Sequence, residues 1–255
     1  MPWQFDLASD IGARAEQQDR IAVLPVPGRD DAHLVVLADG MGGQQQGAEA
    51  AQAVIDAARA AIALFGAGGT PGGLLHALCL AADRAVRAIG RGDGSDPGST
   101  CALLYLDGRE AYWAHVGDSR LYHFDAKRLL FRTADHSVAA LLAGDKASTA
   151  EGLRDSRLYM CLGGRNRVEP EIGSAAVGAR DWFLLCSDGL WSQLEEDDLL
   201  QAGGAGSART SAVDIVTQAR QRAGVASDNV SLVLARQRQD GVLRRIASPR
   251  TWFAR

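Results

Sequence analysis

The sequence predicts an α+β fold made of two antiparallel sheets with helices on their outer faces. Two observations carry this prediction. Short β-like apolar runs greatly outnumber βαβ repeats, and the helical stretches come in pairs between blocks of strands instead of alternating with them. Within each block the links are short and turn-rich, which makes antiparallel pairing the natural arrangement.

The first block holds WQFDLAS, RIAVLPV and HLVVLAD, separated by GARAEQQD and PGRDDA. Two Ala-rich helical stretches follow, over 45–64 and 72–89. The Gly and Pro residues of the intervening FGAGGTPGG stop one helix and admit the next, so an antiparallel helical pair is expected. After GDGSDPGS, the segments STCALLYLDG, EAYWAHVGDS, RLYHFDAK and LLFRTA read as a β-meander with turns at DG, GDS and DAK. A short helix, SVAALLAG, and the polar stretch KASTAEGLRDSR come next, the latter reading as a surface flap within about 144–160. VEPEIGSAAV and DWFLLCS resume the strands, helices are expected near 195–202 and 208–223, and NVSLVLAR is the last strand. The expectation is one domain over 1–238. The tail 239–255, with Arg244, Arg245, Arg250 and Arg255 beside Trp252 and Phe253, reads as a packed or frayed terminus.

Composition narrows the function. At 255 residues, 47% hydrophobic and 23% charged, the chain has the balance of an ordinary soluble globular protein. A formal charge of -4 argues against bulk attraction to nucleic acid or to an anionic membrane, since both need a basic face. Cys79, Cys101, Cys161 and Cys186 form neither a CxxC pair nor a Cys/His zinc pattern and read as reduced, buried thiols. With no basic-then-apolar leader and no run of about 18 apolar residues, the expected location is cytoplasmic and the expected state a monomer.

The informative feature is where acidic residues fall. Asp39 ends HLVVLAD, Asp118 ends AYWAHVGD and Asp188 ends DWFLLCSD, whereas Asp19 and Asp228 begin strands. In an antiparallel sheet the start of one strand lies beside the end of its neighbour, so all five carboxylates can reach one rim. Clustered carboxylates repel and resist ionisation until cations neutralise them. Oxygen-only ligands suit Mg²⁺ or Mn²⁺, while zinc would recruit His or Cys. Two such ions about 3.5–4 Å apart can bridge a water, lower its pKa and hold a phosphoryl group for in-line attack. Gly40 and Gly189 follow two of the aspartates and leave room for a carbonyl to approach a metal or for a sharp turn. Singly, Asp-Gly and Gly-Asp-Ser are ordinary turn signals. Five carboxylates at the ends of apolar runs point to a site.

GARAEQQD, VVLADGMGG, GSTCALLYL, AHVGDSRLYHF, TADHS, LLCSDGLW and SDNVSLVL occur in the order of the metal-dependent type 2C protein phosphatase family, which the chain resembles over about residues 5–236. The resemblance implies a four-layer αββα sandwich and a bacterial, stand-alone phosphoserine/phosphothreonine phosphatase requiring two Mn²⁺ or Mg²⁺ ions. It further implies direct attack by a metal-bridging water without a phosphoenzyme. By the same resemblance Asp39 bridges both metals, the Gly40 carbonyl contributes to one, Asp188 and Asp228 are ligands of the first, and Asp19 belongs to the cluster. Arg14 matches the arginine that grips the substrate phosphate, a task its planar donor fork suits. Phosphorylated proteins, a serine/threonine kinase and its targets among them, are the implied partners.

Three positions depart from the family pattern. Gln18 replaces an acidic neighbour of the metal-binding Asp19. Met41 stands where eukaryotic relatives have a His that acts as a general acid, and it has no proton to donate. Ser192 replaces an Asp that helps Asp118 hold a third metal, so that position lacks one of the ligands the resemblance implies. Two other readings compete. VVLADGMGGQQQG could cradle a dinucleotide, but it lacks the third small residue of such a loop and there is no GK[ST]. A pseudophosphatase that binds phosphoproteins without turnover is disfavoured by the complete set Asp19, Asp39, Asp188 and Asp228. His136 in TADHS is expected to serve hydrogen bonding, and Trp113 and Trp191 read as core aromatics.

Overall fold

The structure is a computed structural model and describes residues 3–42, 45–66, 69–89, 96–143, 157–203 and 210–237. The expected flap lies outside these residues except for 157–160, and so does the tail 239–255. In chain order the strands are β1 (Trp3–Asp10), β2 (Asp19–Pro25), β3 (Ala32–Met41), β4 (Gly98–Ser99), β5 (Cys101–Asp107), β6 (Glu110–Val116), β7 (Arg120–Phe124), β8 (Leu129–Arg132), β9 (Glu171–Ala176), β10 (Trp182–Cys186) and β11 (Val230–Gln237). The helices are α1 (Gln45–Ala63), α2 (Pro71–Ala88), α3 (Val138–Ala143), α4 (Asp188–Trp191), α5 (Glu196–Gly203) and α6 (Ala212–Ala223).

One sheet has the order β1-β11-β10-β7-β8 and the other β2-β3-β5-β6-β9, with β4 pairing the end of β3, and every pairing is antiparallel. Three separate apolar clusters define four layers. Val54, Ile55, Leu75 and Leu78 of α1 and α2 pack on Leu34, Val36 and Leu103. Between the sheets, Val35, Leu37 and Leu104 meet Phe183, Leu185 and Val233. On the far side Leu184, Leu232 and Leu234 pack against Ile215 and Val216 of α6 and Leu199 of α5. Strand alternation sends Leu34 and Val36 to one interface and Val35 and Leu37 to the other, so both faces of β3 are buried and its sequence is continuously apolar. Each such side chain contributes about 1.5–3 kcal/mol through burial.

Helix starts follow local chemistry. Thr70 caps α2 by accepting from the Gly73 N–H at 3.2 Å, with Pro71 in the first turn. Ser211 and Asp214 form a capping box that starts α6 at Ala212, later than the expected 208. No helix among the described residues is long and apolar enough to cross a membrane.

Three expectations need correction. The four segments after residue 98 are not one meander: β5 and β6 form a hairpin in one sheet, whereas β7 and β8 form one in the other. The chain crosses at Gly117, where φ is +101° and a Cβ would lie 2.7 Å from Thr100 Cγ2. VEPEIGSAAV is strand only over Glu171–Ala176. Of the five aspartates only Asp19 sits at a strand terminus: β10 stops at Cys186 and Asp188 opens α4, β6 stops at Val116 before Asp118, β3 runs past Asp39 to Met41, and Asp228 precedes β11.

Candidate metal centre

The antiparallel register brings Asp19 opposite Asp39 across β2 and β3. Asp39 is held by its backbone: its N–H donates to Thr100 Oγ1 at 2.9 Å and its carbonyl accepts from the Thr100 N–H at 2.8 Å. Asp188 arrives from the opposite sheet at the start of α4, and Asp228 lies two residues before β11. Asp118 sits in the crossover between β6 and β7. Together with Arg14 and Gly40, the residues Asp39, Asp118, Asp188 and Asp228 line one cleft of about 520 Å³, into which Met41, Leu158 and Asn229 also project. Asp19 is buried beneath this wall.

The electrostatics are those of a buried acidic cluster. Asp39 is pushed well above the usual carboxylate range, first by burial and then by the charges of Asp19, Asp188, Asp118 and Asp228. Burial likewise raises Asp19 to about 7, although hydrogen bonds from Ser187 and Ser231 oppose the rise. Burial and then Asp188 raise Asp118 to about 7. Burial and then Asp228 raise Asp188 to about 6. The Ser187 hydroxyl donates to Asp19 Oδ2 at 2.8 Å, but the buried Oδ1 has no hydrogen-bond partner. An orphaned carboxylate oxygen among mutually repelling acids is a donor set that fits hard divalent cations.

Arg14 is the one cation among the described residues that line the cleft, and its Nη2 lies 2.5 Å from Asp228 Oδ2. Its loop is held by Asn229, a residue outside the set predicted from sequence. Asn229 Nδ2 donates to the Ile11 and Glu16 carbonyls at 2.9 and 3.0 Å, and its Oδ1 accepts from the Gln18 N–H at 2.8 Å. Its position directly after Asp228 in SDNVSLVL is the available signal. A Cβ on Gly40 would lie 1.9 Å from the Gly47 carbonyl oxygen, so Gly40→Ala must displace either α1 or Asp39. A fall in Tm of about 5 °C or more is expected by calorimetry of the metal-free protein. An unaltered Tm would show that this close approach is dispensable.

A second group, His115, His136 and Glu171, has ligand atoms within 4.8 Å of one another. Its geometry is structural. The two imidazoles stack at 4.5 Å with an interplanar angle of 20°, so their in-plane lone pairs cannot converge on one ion. His115 Nε2 donates to the Ala134 carbonyl at 2.7 Å, while His136 Nδ1 accepts from the Gly117 N–H at 3.1 Å. The His136 backbone N–H donates back to the Gly117 carbonyl at 2.9 Å. Burial and the neighbouring His115 lower His136 to about 4, which keeps it neutral as a clamp on the crossover loop.

The chain is similar to proteins already known. The sequence pattern of the family described as Protein phosphatase 2C matches residues 8–219. The serine/threonine protein phosphatase PstP of Mycobacterium tuberculosis (strain H37Rv) is 31% identical over 242 residues, which are 91% of this chain and 44% of PstP. The chain thus spans less than half the length of that relative. The Streptococcus agalactiae serine/threonine phosphatase structure superposes with a TM-score of 0.79 at 25% identity, covering 92% of this chain and 99% of that one. The PstP catalytic domain, crystallised in complex with two manganese ions, has a TM-score of 0.75 at 29% identity, covering 92% and 97%.

Proposed function

Because the chain belongs to the protein phosphatase 2C family, we propose that it is a metal-dependent phosphatase that hydrolyses phosphoserine and phosphothreonine in proteins. The observation that carries this reading is the convergence of carboxylates from both sheets on one cleft together with Arg14. Asp19, Asp39, Asp188, Asp228 and the Gly40 carbonyl would hold two Mn²⁺ or Mg²⁺ ions, with Asp118 at the edge of a third position. When bound, the ions neutralise the phosphoryl oxygens and lower the pKa of water.

The protein's own residues do the rest. Arg14, its side chain 60% exposed, exchanges Asp228 for the substrate phosphate and holds it by paired N–H donors. Asn229 keeps the Arg14 loop in register with Asp228, so cation and carboxylate stay aligned. Met41 lines the cleft where it can exclude water but cannot donate a proton. Substrates that a serine/threonine kinase has phosphorylated follow from family analogy.

The test is p-nitrophenyl phosphate hydrolysis with Mn²⁺, with and without EDTA. Turnover that requires the metal is expected, and its absence would favour a phosphoprotein-binding role. Arg14→Ala should raise KM for a phosphopeptide by about 10-fold or more through loss of a charge-assisted pair, while Mn²⁺ binding by calorimetry persists. An unchanged KM would remove Arg14 from the site.

A further inference from the structure

Trp191 lies three residues after Asp188 and does more than pack against the core beside α6. It is only partly buried, its Nε1–H donates to the Asp118 carbonyl at 2.9 Å, and the Arg120 guanidinium lies 3.6 Å from the centroid of its ring. Arg120 is in turn fixed by a bidentate pair to Asp135 at 2.8 and 2.7 Å, with both side chains 14% exposed, and by Tyr122 Oη at 3.2 Å. Ser192 offers no such support. It is exposed, and its hydroxyl accepts from the Gln193 side chain at 3.2 Å.

We infer that Asp135, Arg120 and Trp191 form a positioning unit that ties the Asp118 crossover to the Asp188 helix and keeps Asp118 turned to the cleft where residue 192 supplies no carboxylate. The physical basis is directional. The fork sets the guanidinium plane, the plane sets the indole against it, and the indole N–H fixes the backbone of the residue whose carboxylate lines the cleft. The core tryptophans Trp3 and Trp182 bury Nε1 with no hydrogen-bond partner, whereas Trp191 Nε1 meets a carbonyl of the site loop. The inference rests on reading Asp118 as a ligand of a weaker Mn²⁺ site beside a tighter pair.

Calorimetric titration of metal-free protein with Mn²⁺ tests it. Wild type should show a tight phase and a weaker one, and Asp118→Asn should lose the weaker phase. Trp191→Phe keeps a ring under Arg120 and removes only the N–H. It should weaken the second phase about 10-fold and change the tight phase less than about 2-fold, with Tm of the metal-free protein within about 3 °C of wild type. Arg120→Lys should act on the same phase, and the double variant should be no worse than the stronger single one, because the residues act through one another. Equal weakening of both phases in step with Tm, additive effects, or a wild type without the weaker phase would each overturn the unit while leaving the tight phase and turnover standing. Loss of all Mn²⁺ binding and turnover in wild type would instead overturn the phosphatase reading, and this inference with it.

Discussion

Asp39→Asn is expected to lower metal-dependent phosphatase turnover by at least about 10³-fold and to stabilise the metal-free protein at neutral pH. Both effects have one cause. Asp39 stands at the centre of the acidic cluster, its ionisation opposed by burial and by four neighbouring carboxylates, and it is close enough to Asp188 for a side-chain hydrogen bond. Asparagine keeps the shape and the backbone bonds to Thr100 but removes the charge that would balance a divalent ion. A loss of several kcal/mol of Lewis-acid stabilisation corresponds to that rate factor. Without metal, Asp39 can fold at neutral pH only as a repelled anion or by taking up a proton; asparagine removes that cost, so Tm in EDTA should rise while the increment from Mn²⁺ disappears. Wild-type turnover in the variant would sink the assignment, and a lower Tm in EDTA would show that the charge is neutralised in some other way.

The stabilisation conferred by Mn²⁺ should grow steeply as pH rises from 5 to 7.5. Asp19 and Asp118 are raised to about 7, Asp188 to about 6, and Asp39 is displaced in the same direction, in each case chiefly by burial. A carboxylate whose pKa is higher in the folded chain than in the unfolded one binds protons preferentially when folded. Its contribution therefore favours folding at low pH and is lost as pH rises through the interval between about 4 and about 7. The buried histidines act in the opposite sense, since His136 is lowered to about 4 and His115 is lowered as well, both mainly by burial. Those histidines are not ligands of the cleft, so their effect is common to metal-free and metal-loaded protein and cancels in the difference. If Mn²⁺ binds at these carboxylates, protons compete with it for the same oxygens, and binding to the folded state adds stability by mass action. The increment in Tm on adding Mn²⁺ should be at least about 5 °C larger at pH 7.5 than at pH 5. A constant increment across that range would show that the raised carboxylates are not where the ions bind.

The positions of the cluster are legible in the chain itself, because turn chemistry and apolar runs mark strand ends in sequence. GARAEQQD, VVLADGMGG, LLCSDGLW and SDNVSLVL locate Asp19, Asp39, Asp188 and Asp228, whereas Arg14 is singled out only by the family resemblance, and the continuously apolar HLVVLA matches a strand covered on both faces. How these residues meet is not legible there. Arg14 and Asp228 are 214 positions apart and touch only because β1 and β11 pair in register. The crossover at Gly117 reads locally as one more hairpin turn, since a hairpin and a sheet change use the same turn residues. Only packing of the two sheets sends β7 to the other side.

The roles of Trp191, Asn229 and Ser187 are hidden in the sequence for a related reason: each acts through hydrogen bonds to residues distant along the chain, and residue type alone does not reveal such a partner. Residue order and identity suffice for the layered α+β fold, the acidic character of the site and the oxygen chemistry that suits Mn²⁺ or Mg²⁺, because those properties follow from short-range pattern. Which carboxylate is buried beneath the wall, which ones face the cleft and what holds each in place emerge only on folding, because burial, register and crossover are set by contacts between segments far apart in the chain.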